Sequence, residues 1–285
     1  MTLRILLSLL LVLHGAIHLL GFAKAYGLAN VPALTLPISK PIGALWAMTA
    51  VLFVIAVLLL LLANGQWWIP AGIAVALSQV LIVLHWHDAR FGTIANTLLL
   101  VAVIAGASVW NFRAQYTAAV YRTMVLARAV PEHRITEVDL ATLPEPVNRF
   151  LRGTGVVGTL RPRTMRITFQ GSIRGFNGPW MPFTTVQVNA FNEPARFFWL
   201  DATMKGIPTK GLHAYANGKA TMLIKVLGMI PVMEAHGPEM DQAETVTWFN
   251  DLGLFAPGAV LYPRVTWTLV DDRSAKATFS DLRIR

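Results

Sequence analysis

Over the first 112 positions, long apolar runs alternate with short polar breaks; beyond them the rhythm shortens to single-residue alternation. A helix that crosses a hydrocarbon core about 30 Å thick needs roughly 20 mostly apolar residues. Four stretches qualify: Leu3–Phe22, Ile42–Ala63, Trp67–Leu84 and Thr93–Phe112. Trp67, Trp68 and Trp110 stand where an aromatic belt would lie. The links Asn64-Gly65-Gln66 and residues 85–92 are short, which predicts antiparallel neighbours. Up to Asn111 the only full charges are Arg4, Lys24, Lys40, Asp88 and Arg90, whereas from Arg113 onward they come every few residues. The solvent therefore changes near residue 112, and residues 1–112 are predicted to be a four-helix transmembrane bundle. A rival reading takes Arg4, the first apolar run and Ala23-Lys24-Ala25 as a secretory signal with its cleavage site. The length of that run and its two histidines favour a retained span.

Residues 113–142 read as an amphipathic connector and linker. Tyr116, Val120, Met124 and Ala127 recur at helical intervals among Arg113, Arg122 and Arg128, and Pro131 ends the pattern. Residues 132–142 read as an irregular or extended linker. Thr142 then caps a helix that carries prolines in its first turn and ends at Gly153 and Gly155. From Arg161 the apolar period becomes two. Strands are predicted at 165–170, 183–190, 196–204, 213–216, 219–227 and 264–270. Turns are predicted at Asn177-Gly178-Pro179, Asn192-Glu193-Pro194, Asn217-Gly218 and Asp271-Asp272. A helix is predicted over 239–254. Residues 143–285 are thus an α+β soluble domain built on a curved antiparallel sheet.

Composition narrows the chemistry. There is no cysteine, which removes disulfides, thiolate metal sites and cysteine nucleophiles. The net charge is +9, but the basic residues are scattered and form no nucleic-acid motif. Contact with anionic lipid head groups suits them better, and no nucleic-acid partner is expected. With four spans both termini share one side, carrying Arg4, Arg113, Arg122 and Arg128 against Lys24, Lys40 and Arg90. That bias leans to a cytoplasmic soluble domain.

Ionisable groups inside a span are functional candidates. His14 and His18 are four apart and share one helix face, with the small residues Gly15 and Ala16 between them. The first and third helices run in the same direction, so His85 and His87 with Asp88 come to the same leaflet as the first pair. Neutral imidazoles could hold a transition metal or haem iron, with Asp88 orienting a ligand histidine. Proton handling is a second use for such a group, and the bland alternative is hydrogen bonding to a neighbouring helix or to interfacial water; bonding between helices is also the reading of Ser78, Gln79 and Asn96.

In the soluble half, Trp180, Phe183, Phe198, Trp199 and Asp201 are candidates to bind a hydrophobic, lipid-like ligand; an ordinary aromatic core is the alternative. The chain has no nucleophile elbow, P-loop, zinc-protease motif or dinucleotide fingerprint. The leading reading is a non-enzymatic membrane protein whose β-domain binds a hydrophobic ligand or an envelope partner. A haem or metal protein comes second. Third is a hydrolase with an unrecognised site, for which Asp201, Glu239 and Glu244 are the carboxylates to test.

Several segments carry a resemblance: His14–Phe22 (HGAIHLLGF), Leu143–Gly155 (LPEPVNRFLRGTG), Gly178–Phe183 (GPWMPF), Phe198–Ala202 (FWLDA), Gly237–Asp241 (GPEMD), Glu244–Pro257 (ETVTWFNDLGLFAP) and Trp267–Thr278. Together they resemble an uncharacterised family of bacterial membrane-anchored proteins, a domain of unknown function. The resemblance implies a bacterial inner-membrane location and one continuous soluble domain, and it implies no activity. Members continue with further strand beyond the position of Arg285, so it also implies a truncated last sheet edge here. The curved sheet resembles the lipoprotein-carrier fold of the periplasm, an analogy of fold alone that favours the opposite sidedness.

Overall fold

The computed structural model describes residues 2–174 and 178–279. Asn177 of the expected turn at 177–179, and residues 280–285, lie outside the described residues. Two compact units divide the chain, Met1–Phe112 and Arg113–Arg285.

The first unit is helical. It contains α1 (Thr2–Ala25), α2 (Lys40–Leu61), α3 (Trp68–Leu84), the single turn α4 (Trp86–Ala89) and the start of α5 (Gly92–Arg128). Three of these, over Leu3–Ala25, Lys40–Leu61 and Gly92–Arg128, are long and apolar enough to cross a membrane. The fourth expected span, α3, is apolar but has 17 residues, short of the usual ~20. Pro41 sits in the first turn of α2, where its missing N–H costs nothing. After α3, His85 leaves helical geometry with φ −121° and the short α4 turn begins.

Helices α1 and α2 approach closely because glycine faces bulk at two levels. A Cβ on Gly21 would overlap the Trp46 ring, and one on Gly43 would overlap the Ala25 methyl. Leu11, Phe53, Ala56, Ala71, Ala74 and Leu99 form the interior. Leu13, Leu58, Val83 and Leu98 are exposed. A surface that is apolar outside as well as inside is what lipid, not water, solvates.

The second unit begins with the rest of α5 and continues through α6 (Glu137–Ala141) and α7 (Glu145–Gly153). The expectation of an irregular 132–142 and of Thr142 as a cap is corrected here. Asp139, three residues after Thr136, accepts hydrogen bonds from the Thr136 backbone N–H (2.7 Å) and hydroxyl (2.8 Å), which starts a helical turn. Thr142 instead ends that turn, and Pro144 precedes α7.

Six strands follow: β1 (Thr164–Ile173), β2 (Met181–Ala190), β3 (Ala195–Met204), β4 (Ile207–Ala216), β5 (Lys219–Val226) and β6 (Ile230–His236). They form an antiparallel sheet in chain order. Asn217 and Gly218 join β4 to β5 with φ +53° and +70°, the left-handed pair that a two-residue hairpin requires. Helix α8 (Pro238–Phe255), a 3-10 turn (Pro257–Leu261) and a separate hairpin, β7 (Val265–Asp271) with β8 (Ser274–Phe279), complete the unit.

Register decides what each sheet face carries. Asn189 pairs with Arg196 and Gln187 with Phe198; Arg196 pairs with Tyr215 and Phe198 with His213. These residues share the face that α8 covers. The opposite face carries Val186, Trp199 and Asp201, and the C-terminal part of α5 lies on it: Tyr116 donates to the Val186 carbonyl (3.2 Å) and Arg113 stands 4.8 Å over the Trp199 ring. The core between sheet and helices is built from Ile135, Leu151, Phe191, Tyr215, Trp248 and Tyr262. The Trp248 indole N–H is satisfied by the Ala190 carbonyl at 2.9 Å.

Candidate functional site

In the helical unit the imidazoles of α1 meet polar groups of α3 and α5. His18 Nδ1 lies 2.8 Å from the His14 carbonyl, four residues back. A carbonyl can only accept, so Nδ1 carries the proton and Nε2 is the lone-pair nitrogen. The Ser78 hydroxyl, 2.9 Å away, therefore donates to His18 Nε2. His14 Nε2 faces Asn96 Oδ1 at 2.9 Å and Ser78 Oγ at 3.2 Å, so it donates to acceptors. Asn96 passes the direction on, donating to Gln79 Oε1 (3.0 Å), and Gln79 donates to Thr93 Oγ1 (3.3 Å). The network is buried and joins three helices by a consistent run of donors and acceptors.

His85 is also buried and donates Nδ1–H to the Leu81 carbonyl at 3.0 Å. The Trp46 ring stands between it and the pair, 5.8 Å from His85 and 5.2 Å from His18. His87 is exposed and donates to Asp88 at 3.0 Å. Asp88 also accepts from the Thr35 backbone N–H (2.6 Å), the Thr35 hydroxyl (2.7 Å) and the Leu36 N–H (3.1 Å). The hydrogen bonds from His87 and then Thr35 hold its carboxyl well below the usual range. The structure thus brings His14 and His18 together around Ser78, sets His85 one ring away, and places His87 with Asp88 in the connecting turn. Among the described residues, no group of three or more histidine, aspartate or glutamate side chains could hold a metal ion.

The soluble unit holds a second buried polar cluster, between the sheet and α8. Arg196 donates Nε–H to Asp251 Oδ2 (3.0 Å), Nη1–H to Glu244 Oε2 (3.1 Å) and Nη2–H to Gln187 Oε1 (3.1 Å). Asp251 Oδ2 also accepts from Gln187 (2.7 Å) and Asn189 (2.9 Å). His213 Nε2 lies 3.3 Å from Glu244 Oε1 but is not aligned for a hydrogen bond. Burial first, and then the Arg196 charge, lower the His213 pKa to about 4. Burial likewise raises that of Glu244. At the start of α8, Asp241 accepts from Lys219 (2.8 Å) and from the Ala220 N–H (2.7 Å), and these contacts lower its pKa.

The ligand candidates read from the sequence are split by the sheet. Phe183 and Phe198 lie on the α8 face, with their ring centroids 6.2 and 5.9 Å from that of Phe169. Trp199 and Asp201 lie on the other face, the first against Tyr116 and Arg113 and the second paired with Lys210. Trp180 is exposed before β2. Glu239 is exposed, outside the cluster that Glu244 joins. Sequence reasoning missed Gln187, Asn189, Arg196 and Asp251. Their signal was present: Gln187 and Asn189 alternate with Val186 and Val188, but alternation alone does not say which set faces a helix.

The hydrogen bonds that tie α8 to the sheet cluster at the 187–196–220 end of the covered face. Beyond that end the same face continues with Ile167, Phe169, Phe183, Leu200 and Ile224, all partly open to solvent. Among them Thr185 is 1% exposed and its hydroxyl has no hydrogen-bond partner. On the other face, a cavity of about 330 Å³ lies between α5 and the sheet end, lined by Ala119, Arg122, Leu126, Ala190, Phe197 and Ala216 among others.

The model of a family of unknown function, DUF6544, matches residues 133–285, which takes in α6, α7, both sheets and α8. No curated protein and no solved structure matches the chain.

Proposed function

The chain belongs to the DUF6544 family, and from that premise we propose that its β-domain holds a lipid-like ligand on the part of the α8 face that α8 leaves uncovered. One observation carries this reading: a row of half-open apolar side chains surrounds a buried, unpartnered hydroxyl. Burying a hydroxyl without a partner costs roughly 1–3 kcal/mol. A ligand with an apolar body and an ester, hydroxyl or carboxyl group would pair Thr185 Oγ1 and cover Phe169, Phe183, Phe198 and Leu200. The Arg196–Asp251 cluster closes the inner end and fixes where such a ligand stops. Among the described residues no nucleophile and base stand together there, so binding rather than hydrolysis fits the site.

The helical unit acts in this reading as a multi-pass anchor in a bacterial inner membrane, with α3 as a short fourth span and bilayer lipid as its partner. The Ser78-centred network serves to lock α1, α3 and α5 together. Both histidines facing Ser78 spend their inward nitrogens on it, which disfavours haem or metal there.

The test is solvent extraction of the purified full-length protein followed by lipid mass spectrometry. A stoichiometric lipid is expected, and it should be lost in Gly211→Leu: a Cβ there already meets Leu200 at 3.2 Å and Ile224 at 3.4 Å, so a larger side chain fills the groove. Equal lipid content in wild type and variant would sink the reading.

A further inference from the structure

The six-stranded meander has two unlike ends. Three turns, β1–β2, β3–β4 and β5–β6, lie at one end; β2–β3 and β4–β5 lie at the other. The second end is polar or closed, with Asn192, Glu193, Asn217 and Lys219 around a fully buried Phe191. The first end exposes Ile173, Trp180, Ile207 and Ile230 at 45%, 61%, 43% and 57%. Basic groups stand among them: Arg174 lies 4.6 Å over the Trp180 ring, and Lys205 is exposed in the left-handed β3–β4 turn. Single exposed apolar residues need no explanation, but four gathered at the tips of three turns do.

The chain enters this unit at the same end. Arg113 stands over Trp199 and feels the charge of Asp201, while Ala127 and Val130, further along the chain, line the cavity beside Ala190 and Ala195. Strand β3 runs on past Asp201 to Met204, about 10 Å of further strand at ~3.3 Å per residue. The tips therefore reach beyond the level of Arg113. Tryptophan with basic neighbours is what a lipid–water interface selects, and exposed cations there attract anionic head groups.

We propose that the described residues at this end form a membrane-docking edge, which seats Trp180, Ile173, Ile207 and Ile230 in the head-group region of an anionic bilayer, with Arg174 and Lys205 on its phosphates. The inference does not depend on the ligand reading, although it would place the open end of the α8 face against lipid.

The native chain has no cysteine, so single-cysteine variants give clean labels. Full-length protein carrying Trp180→Cys, Ile207→Cys or, as a control at the opposite end, Glu193→Cys is labelled with a polarity-sensitive fluorophore. It is then placed in nanodiscs of mixed phosphatidylglycerol and phosphatidylcholine. At positions 180 and 207, blue-shifted emission and quenching by bromine-labelled acyl chains are expected; position 193 should show neither. A second arm adds Arg174→Glu and Lys205→Glu, which should shift the emission back toward the aqueous value. Aqueous emission at all three positions would overturn the proposal. So would a blue shift that brominated lipid leaves unquenched and that grows with protein density, the mark of a second copy on this edge. Absence of co-purified lipid from the wild-type protein, with the labels reporting lipid as expected, would strike the ligand reading alone.

Discussion

Arg196 on β3 and Asp251 on α8 meet at 3.0 Å, each about a tenth exposed. That pair joins a sheet strand to a helix 55 residues later in the chain. Both charges are largely buried. Removing one partner of a buried pair costs about 3–5 kcal/mol, because the other is left uncompensated. Asp251→Leu should therefore loosen α8 from the sheet and raise hydrogen exchange along 238–255. The double change Arg196→Met with Asp251→Leu should recover much of the loss. Equal exchange in the single and double variants would contradict this account.

His213 makes the α8 interface sensitive to acid. Its pKa falls from 6.5 to about 4 on folding, so between those values the unfolded chain binds a proton that the native chain refuses. Stability therefore declines as pH drops from 6.5 toward 4. At ~1.4 kcal/mol per unit the full effect is about 3 kcal/mol, reduced by partial solvent contact to roughly 1–2. Glu244 works in the opposite sense: its raised pKa means stability falls as pH rises above 4.5. The variant His213→Gln should flatten the decline between pH 6.5 and 4, read as protection of α8 amides. An unchanged slope would remove His213 as its source.

Ser78 meets two imidazoles, but its loss strands only His18 Nε2, because His14 keeps Asn96 at 2.9 Å. Coupling between polar side chains in membrane bundles averages ~0.6 kcal/mol and reaches ~1.7. A double-mutant cycle on Ser78→Ala and His18→Ala, measured by unfolding in mixed micelles, should return a value in that range. Additive effects would show that the 2.9 Å contact contributes nothing to stability.

Gly43 is a steric prediction. A side chain there must displace Ala25, whose methyl occupies the space a Cβ would need, so Gly43→Leu should separate α1 from α2 and lower the melting temperature. The cost of such overpacking is about 1–3 kcal/mol or more. Gly27 has φ +68° and nothing within 4 Å of where a Cβ would stand. It should respond mildly to Ala, through backbone strain alone.

What the sequence made legible follows from which signals are local. The Asn217-Gly218 hairpin, the 239–254 helix and the helical run through Arg128 depend on neighbours in the chain, and the structure contains all three. Strand β6 carries no such signal. Its residues are almost all exposed, and Pro231 breaks the usual strand pattern, so it pairs as a sheet edge without an apolar period to announce it. The polar cluster was hidden for a different reason. Gln187, Asn189 and Arg196 become an interior only when α8 arrives from 48 to 64 residues away. The histidines were legible as a group by depth and Ser78 as an interhelical bonding residue, but spacing alone did not say that one hydroxyl would meet both imidazoles of α1.

The unbroken neighbour-to-neighbour order of β1 through β6 bears on how the chain is made. Each new strand finds its mate in the segment synthesised just before it, so every closure spans a short loop and loses little entropy. A nascent chain could zip this sheet stepwise while still attached to the ribosome. Only α8, emerging after all six strands, would neutralise the guanidinium waiting on β3, which makes this helix the latch rather than the seed of the sheet.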